Sequence, residues 1–446
     1  MLMYFPRMYV YTKFRESNKN NSYGKIMKMD IKGDSVEDIM GRCREDVDTI
    51  TREQIKDVRA RGLVDLNINP RQNINLDTTK IAFHRERVEA WRRGERVAPI
   101  TIDMALTQKC SFACTFCYAG LQQNPSSPVP WETYETFLDD CVEIGHAKGE
   151  GVRAISLVSD GESTENPDYY RFLLKGKENG IDMALGTNGF KISPEEIPGL
   201  VNSLTYLRIN FNAADPNAYA QIMGTSEKNY YSVVQTIRDF VRVKKEQKSN
   251  ITIGLQMVLL PEYSDQVIPM ALLGRELGVD YTVIKHCSDD ESGRLGVDYS
   301  WYKSEFAIEL LRAAESLSTP EYSVQAKWSK MVTGRDRKYA RCYGTPLLFQ
   351  MSGTGIVAPC GSFFHKNYSR YHIGHIEETR FKDIWASDEY MEVINYLASE
   401  QFDARKQCAT LCLQDKVNEA LYNLVEQNIP LPDVTGKPLP QHSNFI

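Results

Sequence analysis

Short apolar runs alternate with longer amphipathic stretches between residues 99 and 317 of the chain. The apolar runs predict strands, and the stretches with apolar residues at helical spacing predict helices. The predicted strands are Ile100–Leu106, Ala154–Val158, Ile181–Gly186, Tyr206–Phe211, Thr252–Leu259 and Tyr281–His286. The predicted helices are Trp131–His146, Pro167–Asn179, Pro194–Val201, Tyr230–Lys245, Gln266–Leu277 and Ser300–Leu317. Strand followed by helix predicts an α/β fold with a parallel sheet. A doubly wound sheet and a partial (β/α)6 TIM-like barrel both fit, because a closed TIM barrel needs eight units.

The chain on either side of this region lacks the alternation. Residues 1–97 form a predicted N-terminal extension, and residues 98–320 form the predicted barrel. Residues 321–420 contain four cysteines, many glycine and aromatic residues, and little predicted helix before Asp388–Leu397. We expect this segment to be a small α+β domain stabilised by a bound metal centre, because its core is too small to suffice. Residues 421–446 form the C-terminal tail, whose Pro-rich end is predicted to be extended.

Composition and charge exclude several classes of protein. The 446 residues are 42% hydrophobic and 25% charged, which is typical of a soluble globular chain with two or three domains. Lys and Arg number 53 against 59 Asp and Glu, and the net charge of -6 argues against a nucleic-acid-binding protein. No apolar run approaches the roughly 20 residues of a membrane helix, and the N-terminus lacks an apolar secretory signal. We therefore expect a cytoplasmic protein that does not bind membranes.

The ten cysteines are too few for a disulfide-stabilised scaffold. Without an export signal, we expect them to be free thiols. Seven of them fall into two groups, and Cys43, Cys141 and Cys287 are scattered. The first cysteine group is Cys110, Cys114 and Cys117; the second cysteine group is Cys342, Cys360, Cys408 and Cys412.

The first cysteine group has the spacing C-x3-C-x2-C and begins just after the first predicted strand. In parallel α/β folds, this edge of the sheet is where active sites form. Three thiolates can bind three irons of a 4Fe-4S cluster, which leaves the fourth iron open to a substrate or cofactor. The alternative is a structural zinc site, which normally requires four protein ligands.

This spacing, with Phe116 before the last cysteine, resembles the radical SAM superfamily. The resemblance implies that the open iron binds the amino and carboxylate groups of S-adenosylmethionine (SAM) and that Phe116 contacts the cofactor. It further implies that an electron from the reduced cluster cleaves SAM, and that the resulting 5′-deoxyadenosyl radical abstracts a hydrogen atom from the substrate.

Residues at the ends of the next strands extend the resemblance. The segment from Val158 to Glu162 resembles the family's Gly-Gly-Glu motif, in which Glu162 would pair with the ammonium group of SAM. Gly161 would allow the backbone to approach the ligand closely. The alternative is that Glu162 is an acidic residue favoured at a helix N-terminus.

The third and fourth predicted strands supply further candidates. Thr187 and Asn188 resemble the family's Thr-Asn-Gly turn and would contact a carboxylate or ribose, although an ordinary Asn-Gly turn explains them equally well. Asn210 matches the position of a small polar residue that contacts SAM in the family. Asn212 is expected on the same strand face.

The second cysteine group supplies enough thiols to ligate one further 4Fe-4S cluster fully. Its Gly355-x4-Cys360 spacing and the Phe381–Trp385 segment resemble the C-terminal SPASM and twitch extensions of radical SAM enzymes. A full SPASM domain carries seven cysteines for two clusters, so four grouped cysteines predict one auxiliary cluster, as in the twitch extension. The alternative is zinc held by four cysteines.

Cys287 follows the sixth predicted strand directly, where a thiol would face the radical. Radical epimerases that resemble this class use a thiol to donate a hydrogen atom, so Cys287 is a candidate catalytic residue. The alternative is a semi-buried structural thiol. The neighbouring Lys285, Asp289, Asp290 and Glu291 are candidate proton acceptors or substrate anchors, or simply a solvated loop.

These features together predict an oxidoreductase-type radical SAM enzyme with one auxiliary cluster, which catalyses an oxidation or a maturation reaction. The alternatives are an epimerase that uses Cys287, a peptide maturase, and a non-enzymatic iron–sulfur or zinc module. The substrate would be a small molecule or a peptide. The reductant would be a flavodoxin or a ferredoxin.

Overall fold

A computed structural model of the chain describes residues 47–61, 80–119, 129–145, 150–290, 292–334, 336–408, 410 and 412–446. Cys43, Glu291 and most of the predicted N-terminal extension lie outside these residues. Within them, no helix combines the length and apolar character that crossing a bilayer requires.

A ten-stranded sheet organises the fold, with the strand order β10-β9-β8-β1-β2-β3-β4-β5-β6-β7. The eight strands from β8 to β7 in this order are parallel, whereas β9 pairs antiparallel with β8 and β10. The strands are β1 Thr101–Met104, β2 Ala154–Leu157, β3 Asp182–Thr187, β4 Leu204–Asn210, β5 Thr252–Leu259, β6 Tyr281–His286, β7 Ser323–Ala326, β8 Leu348–Met351, β9 Ile356–Ala358 and β10 Gly374–His375.

The helices follow the strands as an α/β fold requires. They are α1 Val47–Ala60, α2 Arg85–Arg92, α3 Trp131–Glu143, α4 Tyr169–Glu178, α5 Ile197–Ser203, α6 Pro216–Met223, α7 Glu227–Gln247, α8 Val267–Leu277, α9 Glu305–Glu315, α10 Trp328–Thr333, α11 Phe381–Ala386, α12 Asp388–Leu397, α13 Ala404–Gln407 and α14 Asp415–Val425. In α7, buried residues recur at helical spacing from Tyr230 to Val243, so one face packs on the sheet.

The predicted α/β architecture is confirmed, and the structure extends it. The six predicted strands correspond to β1–β6, and the bounds of β5 and β6 are those predicted. The alternation continues past Pro320 through β7 and α10. In addition, β8 pairs with β1, so the cluster-domain segment contributes a strand to the main sheet.

The two faces of the sheet differ in polarity. Ile102, Met104, Ile155 and Leu157 point toward the helices and belong to the main hydrophobic core. Side chains alternate along a strand, so Asp103, Ser156 and Arg208 lie on the opposite, inner face. We call this surface the inner face of the sheet.

The C-terminal tail closes the amino-terminal edge of the inner face. The side chain of Phe445 packs with Ala154, Ala184 and Tyr206 in a small apolar cluster. Thr101 Oγ1 donates to the Asn444 carbonyl at 2.7 Å. The prediction of an extended tail therefore missed its role, because the last residues fold back under the strands.

The Asn444 and His442 side chains add polar contacts to the same closure. Asn444 Nδ2 donates to Asp182 Oδ2 at 2.7 Å, and His442 Nε2 lies 3.0 Å from Thr252 Oγ1. Asp182 and Thr252 are the first residues of β3 and β5, so the tail spans the amino ends of several strands.

The cluster-domain segment begins with the predicted hairpin, which the structure confirms as β8 and β9. Three helices after this hairpin were not predicted. They are α11, which covers the Phe381–Trp385 motif, the short α13, which precedes Cys408, and α14, which follows Cys412. Trp385 Nε1 donates to the Val97 carbonyl at 3.1 Å, so this segment packs directly against the barrel.

Candidate functional site

The first cysteine group lies in the loop after β1, at the carboxyl edge of the sheet. The loop is held by the end of α6, because Thr115 N donates to the Ile222 carbonyl at 3.0 Å and Ala113 N donates to the Gly224 carbonyl at 3.3 Å. Gly224 has a positive φ of 57°, and a Cβ atom there would lie 2.1 Å from the Ala113 carbonyl oxygen. Glycine is therefore required at the helix end that holds the loop.

The three thiols of this group lie within electrostatic range of one another. Burial raises the pKa of Cys110 to about 11, and the Cys117 thiol contributes to the shift. Burial also raises the pKa of Cys114, and Cys117 and Cys110 raise it further. Cys110 and Cys117 are exposed residues, so a ligand can reach them. Three soft sulfur donors that converge at an accessible edge fit a 4Fe-4S cluster with one open iron.

Phe116 and Cys114 connect this loop to the core. Both side chains are half-buried and pack against the main hydrophobic cluster. Cys114 Sγ lies 3.9 Å from Met223 Sδ at the end of α6. Phe116 therefore has a packing role in this structure, beside the cofactor contact that the sequence predicts.

Glu162 lies beside the first cysteine group and is 4% exposed. Its Oε1 atom accepts hydrogen bonds from Thr164 N at 3.2 Å, Thr164 Oγ1 at 2.7 Å and Thr187 Oγ1 at 2.8 Å. Its Oε2 atom accepts from Asn188 N at 2.7 Å. Burial raises the pKa of Glu162 above its ordinary value, and these donors oppose the shift. The carboxylate thus joins the ends of β2 and β3.

The same contacts place Thr187 and Asn188. The Thr187 hydroxyl points to Glu162, whereas the Asn188 amide Nδ2 lies 3.8 Å from Cys110 Sγ. Three of the predicted SAM contacts, Glu162, Thr187 and Asn188, therefore meet next to the first cysteine group. The structure brings them together from two neighbouring strands.

Gly161 and Asp160 contact neighbouring segments of the chain at the carboxyl edge of the sheet. Gly161 has a φ of 127°, and a Cβ atom there would lie 2.1 Å from the Thr107 carbonyl oxygen. The close approach that requires this glycine is therefore to the chain itself. The buried Asp160 accepts from Ser352 Oγ at 2.6 Å and from Gly353 N at 2.9 Å, which ties β2 to the β8–β9 turn.

Asn210 ends β4 on the inner face and is half-buried. Its Oδ1 accepts a 2.6 Å hydrogen bond from Gln256 Nε2 on β5. This contact fixes the orientation of the Asn210 side-chain amide, including its Nδ2 atom. Asn212, two residues after Asn210, is fully buried. Its side chain accepts from Val258 N at 2.7 Å and lies 3.1 Å from Met223 Sδ. Asn212 is therefore a structural residue.

The second cysteine group lines one cavity. All four thiols border it, together with Arg337, Tyr339, Thr345 and Asn418 and several apolar residues. The cavity lies between the β8–β9 hairpin and the segment that leads into α14. The structure thus brings together four thiols that are up to 70 residues apart in the sequence.

Polar donors surround the sulfur atoms of this group. Cys342 Sγ lies 3.3 Å from Thr345 Oγ1 and accepts from Asn418 Nδ2 at 3.5 Å. Cys360 Sγ accepts from Ser362 N at 3.4 Å. The positive charge of Arg337 lies within electrostatic range of Cys412 and Cys408. Hydrogen bonds and a buried cation stabilise the negative charge of a thiolate-ligated centre.

The spacing of the thiols bears on which centre they can hold. Four thiolates bound to one zinc ion would lie about 3.8 Å apart, since each Zn–S bond is about 2.3 Å. In the part of the chain that the structure describes, no three His, Cys, Asp or Glu side chains are arranged to hold a single metal ion. A 4Fe-4S cluster places each cysteine on a different iron, so its thiolates are farther apart. Each of the four thiols that line the cavity could therefore bind one iron of such a cluster.

Cys287 is 2% exposed and follows β6. Its backbone N donates to Tyr302 Oη at 3.2 Å, and its Sγ lies 3.7 Å from the Ser288 carbonyl. Burial raises the pKa of Cys287 to about 12, so the group remains a neutral thiol. The carboxylates of the neighbouring Asp289 and Asp290 accept hydrogen bonds from backbone N atoms of residues 292–297, in the same loop.

Several residues that connect these sites were missed by the sequence reasoning. In the sequence, Thr410 lies between Cys408 and Cys412. Its hydroxyl donates a hydrogen bond to the Asp289 carbonyl at 2.9 Å. Tyr118 follows Cys117. Burial raises the pKa of its phenol, with further contributions from the Cys117 and Cys360 thiols. The position of Tyr118 next to a ligand cysteine was the only sequence signal available, and Arg337 and Thr410 gave none.

Two family models match the chain. Residues 104–272 match the radical SAM superfamily, and residues 347–413 match the SPASM iron–sulfur cluster-binding domain. Together these matches cover more than half of the chain. The first contains the first cysteine group and Glu162, and the second contains Cys360, Cys408 and Cys412.

Relatives and solved structures agree with these matches. The chain is 24% identical over 318 residues to the AdoMet-dependent heme synthase of Methanosarcina barkeri, a match that covers 66% of this chain and 83% of that protein. It is 25% identical over 160 residues to the probable GTP 3′,8-cyclase of Thermococcus kodakarensis, which covers 35% of this chain and 48% of that protein. The fold is similar to that of Streptococcus suis SuiB bound to S-adenosylmethionine, with a TM-score of 0.54, 15% identity, and coverage of 77% of this chain and 78% of that one.

The radical SAM domain implies a 4Fe-4S cluster and SAM, and the SPASM domain implies auxiliary iron–sulfur binding. The first cysteine group and Glu162, at the carboxyl edge of the sheet, fit the 4Fe-4S cluster and SAM. The cavity lined by the second cysteine group fits the auxiliary iron–sulfur centre. The chain therefore belongs to the radical SAM superfamily and carries a C-terminal SPASM iron–sulfur domain.

Proposed function

We propose that this chain abstracts a hydrogen atom from an organic substrate and completes an oxidation or maturation reaction with the help of one auxiliary cluster. The observation that carries this proposal is the convergence of the first cysteine group with Glu162 and Asn188 at one edge of the sheet. When bound and reduced, the 4Fe-4S cluster would supply the electron that cleaves SAM to the 5′-deoxyadenosyl radical.

The residues of the chain would bind and orient SAM at this edge. Cys110, Cys114 and Cys117 would hold the cluster. Each carboxylate oxygen has two lone pairs. Oε1 of Glu162 is saturated by donors from Thr164 and Thr187, whereas Oε2 accepts a single hydrogen bond, from Asn188 N. Oε2 therefore retains capacity for one further donor, such as the ammonium group of SAM.

The inner face would orient the rest of the ligand. Asn210 is fixed by Gln256, so its amide nitrogen is free to contact a ribose or carboxylate oxygen. Asn188 presents its side-chain amide toward the first cysteine group. In this proposal Thr187 acts through Glu162, because its hydroxyl is already donated to that carboxylate.

The second cysteine group supports oxidation as the overall reaction. A substrate radical that loses a proton and an electron becomes an oxidised product, so an electron acceptor is needed nearby. The four thiols of the second group would hold that acceptor, and Arg337 and the surrounding hydrogen-bond donors would favour its reduced state.

The substrate would be a peptide or a small molecule. The fold resemblance to SuiB, which was solved bound to a precursor peptide, supports a peptide. The sequence similarity to an AdoMet-dependent heme synthase supports a non-peptide substrate. We further propose a flavodoxin or ferredoxin as the source of the electron.

The test is anaerobic reconstitution followed by dithionite and SAM. We expect 5′-deoxyadenosine from the unaltered protein and none from Cys114→Ala. The matched control is Cys141→Ala, which changes a fully buried thiol of the core and should preserve the product. Failure to form 5′-deoxyadenosine with dithionite and with a flavodoxin system would contradict the proposal, as would zinc without iron on metal analysis.

Epimerisation is a second candidate because Cys287 is a buried, neutral thiol at the end of β6. Hydrogen-atom donation requires an S–H group, and the raised pKa keeps this group protonated. An epimerase would place one solvent deuterium in its product when run in heavy water. Cys287→Ser should abolish that incorporation without preventing SAM cleavage, whereas a dehydrogenation would show no dependence on Cys287.

A further inference from the structure

Two basic side chains on the inner face of the sheet have no ion pair or hydrogen bond within the described residues, although the Arg208 guanidinium lies 5.9 Å from the centroid of the Tyr206 ring. Arg208 is in β4 between β3 and β5, and Lys285 is in β6 between β5 and β7. Both keep part of their surface accessible although they occupy interior strands whose other face is covered by helices. They therefore face the space enclosed by the inner face.

Arg208 has no polar neighbour across either adjacent strand. Its register partners are Gly186 on β3 and Gly254 on β5, neither of which has a side chain. Its Nε atom is buried without a hydrogen-bond partner. Within the described residues, no ion pair or hydrogen bond engages its side chain. An unpaired polar atom of this kind is costly, so its presence points to a ligand.

Lys285 is in a similar position. Its register partner on β5 is the apolar Val258. The described part of the chain gives its side chain no ion pair or hydrogen bond, and its charged neighbours are Arg208, Lys327 and Lys330. Burial lowers the pKa of Lys285 well below its ordinary value, and these three cations lower it further. Cys287 opposes this shift, but its own raised pKa keeps it a neutral thiol.

The acidic groups nearby do not compensate these cations. Asp103 on β1 is within electrostatic range of Arg208 but forms no ion pair with it, and burial raises the pKa of Asp103 to about 7. Asp182 is farther toward the amino edge, where it accepts from Asn444. The inner face therefore carries the positive charge of Arg208 without a paired carboxylate and, at Lys285, an amine whose charged form a bound carboxylate would stabilise.

We propose that the inner face binds a carboxylate group of the substrate between Arg208 and Lys285, an inference that rests on the proposed function. A guanidinium group pairs with a carboxylate through two parallel hydrogen bonds, and an ammonium group adds a third contact. Arg208 lies two residues before Asn210 on the same strand, and Lys285 lies two residues before Cys287. A carboxylate held there is placed below the SAM site and beside β6.

SAM also carries a carboxylate, so the two sources of this group must be separated. The SAM contacts proposed above lie at the carboxyl ends of β2, β3 and β4, whereas Lys285 is on β6. The position of Lys285 favours the substrate as the source. The SAM carboxylate is the competing outcome of the test.

The first experiment uses bromide as an anion probe. Crystals of the holoenzyme with SAM bound are soaked in sodium bromide, and anomalous diffraction locates the bromide ions. We expect a peak in contact with Lys285 and Arg208. It should disappear in the double variant R208M/K285M and persist in Lys177→Met, which removes an exposed lysine of α4. A wild-type map without a peak on the inner face overturns the proposal, as does a peak that survives the double variant.

The second experiment identifies the source of the carboxylate. Equilibrium dialysis measures the dissociation constant of SAM for the wild type, R208M and K285M. We expect changes of less than about twofold. A loss of SAM affinity of tenfold or more in both variants assigns the site to SAM and overturns the proposal. Failure of the wild type to form 5′-deoxyadenosine would contradict the proposed function instead, whatever the bromide maps show.

Discussion

The closure of the sheet by the C-terminal tail predicts a measurable effect for Phe445→Ala. Phe445 is 9% exposed and packs edge-on against Tyr206 with ring centroids 4.9 Å apart. Truncation of a buried phenylalanine to alanine costs about 3–5 kcal/mol. We take about 3 kcal/mol, because a chain end relaxes more easily into the vacated space.

This cost converts into a modest shift of the melting temperature. Unfolding entropy is about 2.1 cal/mol/K per residue, so a chain of 446 residues has about 0.9 kcal/mol/K. The expected decrease in Tm is therefore about 3 °C. The matched control is Leu439→Ala in the same tail, whose side chain is 68% exposed. Its expected effect is within about 0.5 kcal/mol, or less than about 1 °C.

Differential scanning calorimetry under anaerobic conditions measures both variants. Hydrogen exchange adds a local readout, because Phe445→Ala should accelerate exchange at the amino ends of β1 and β3, where the tail contacts Thr101 and Asp182. A Tm within 1 °C of the wild type, with unchanged exchange at these strands, would refute the inferred closure. Equal effects of the two variants would show that the tail responds to any substitution.

Three further variants test the sites. Glu162→Gln places an amide group against backbone and hydroxyl donors, so it should cost about 1.5–3 kcal/mol of stability and weaken SAM binding at least tenfold in dialysis, with iron content unchanged. Arg337→Met should lower the midpoint potential of the auxiliary cluster by on the order of 50–100 mV. Redox titration followed by electron paramagnetic resonance, in a protein that lacks the first cysteine group, measures this shift, and Lys338→Met, with a 76% exposed side chain, should leave the potential unchanged. Asp103 has a folded pKa of about 7 against 3.8 for the ordinary group, so its protonation stabilises the folded state, and this contribution is lost as pH rises from about 4 to 7. Asp103→Asn should flatten the dependence of Tm on pH in that window, and an unchanged slope would contradict the assignment.

The parts of the fold that were predicted are those with strong local patterns. β5 is buried along its whole length, and between Ile253 and Leu259 Gln256 is its one polar residue, so its bounds followed from the sequence. The four residues of β7 form no such run, and the strand is defined only by its pairing with β6. The pairing of β8 with β1 joins residues about 250 positions apart, which no local pattern encodes.

Helix α6 was not predicted, although its sequence contains the signals of a helix. Asp215 accepts hydrogen bonds from Asn217 N and Ala218 N, Pro216 occupies the first turn, and Gly224 ends the helix. These are the expected start and stop signals of a helix, so the sequence contained the information. Its eight residues carry only a short apolar pattern, and the prediction relied on longer ones.

The candidate site was predictable as two groups of cysteines but not as a set of contacts. The C-x3-C-x2-C spacing indicated the first group, and the Gly355-x4-Cys360 spacing with the Phe381–Trp385 segment indicated the second. The partners of Glu162 were not predicted, since they come from side chains whose orientation depends on packing. Gly161 illustrates the limit: the sequence suggested an approach to the ligand, whereas the structure shows a close contact with Thr107.

The two cysteine groups are fixed to one edge of the sheet by separate contacts. Asp160 at the end of β2 holds the turn that leads to Cys360, and Thr410 holds the loop beside Cys287. Both contacts involve buried groups, so loosening either would leave polar atoms unsatisfied. These contacts fix the position of the two groups relative to the same sheet. In the proposed reaction, hydrogen abstraction and removal of the second electron would therefore use a single arrangement of the chain.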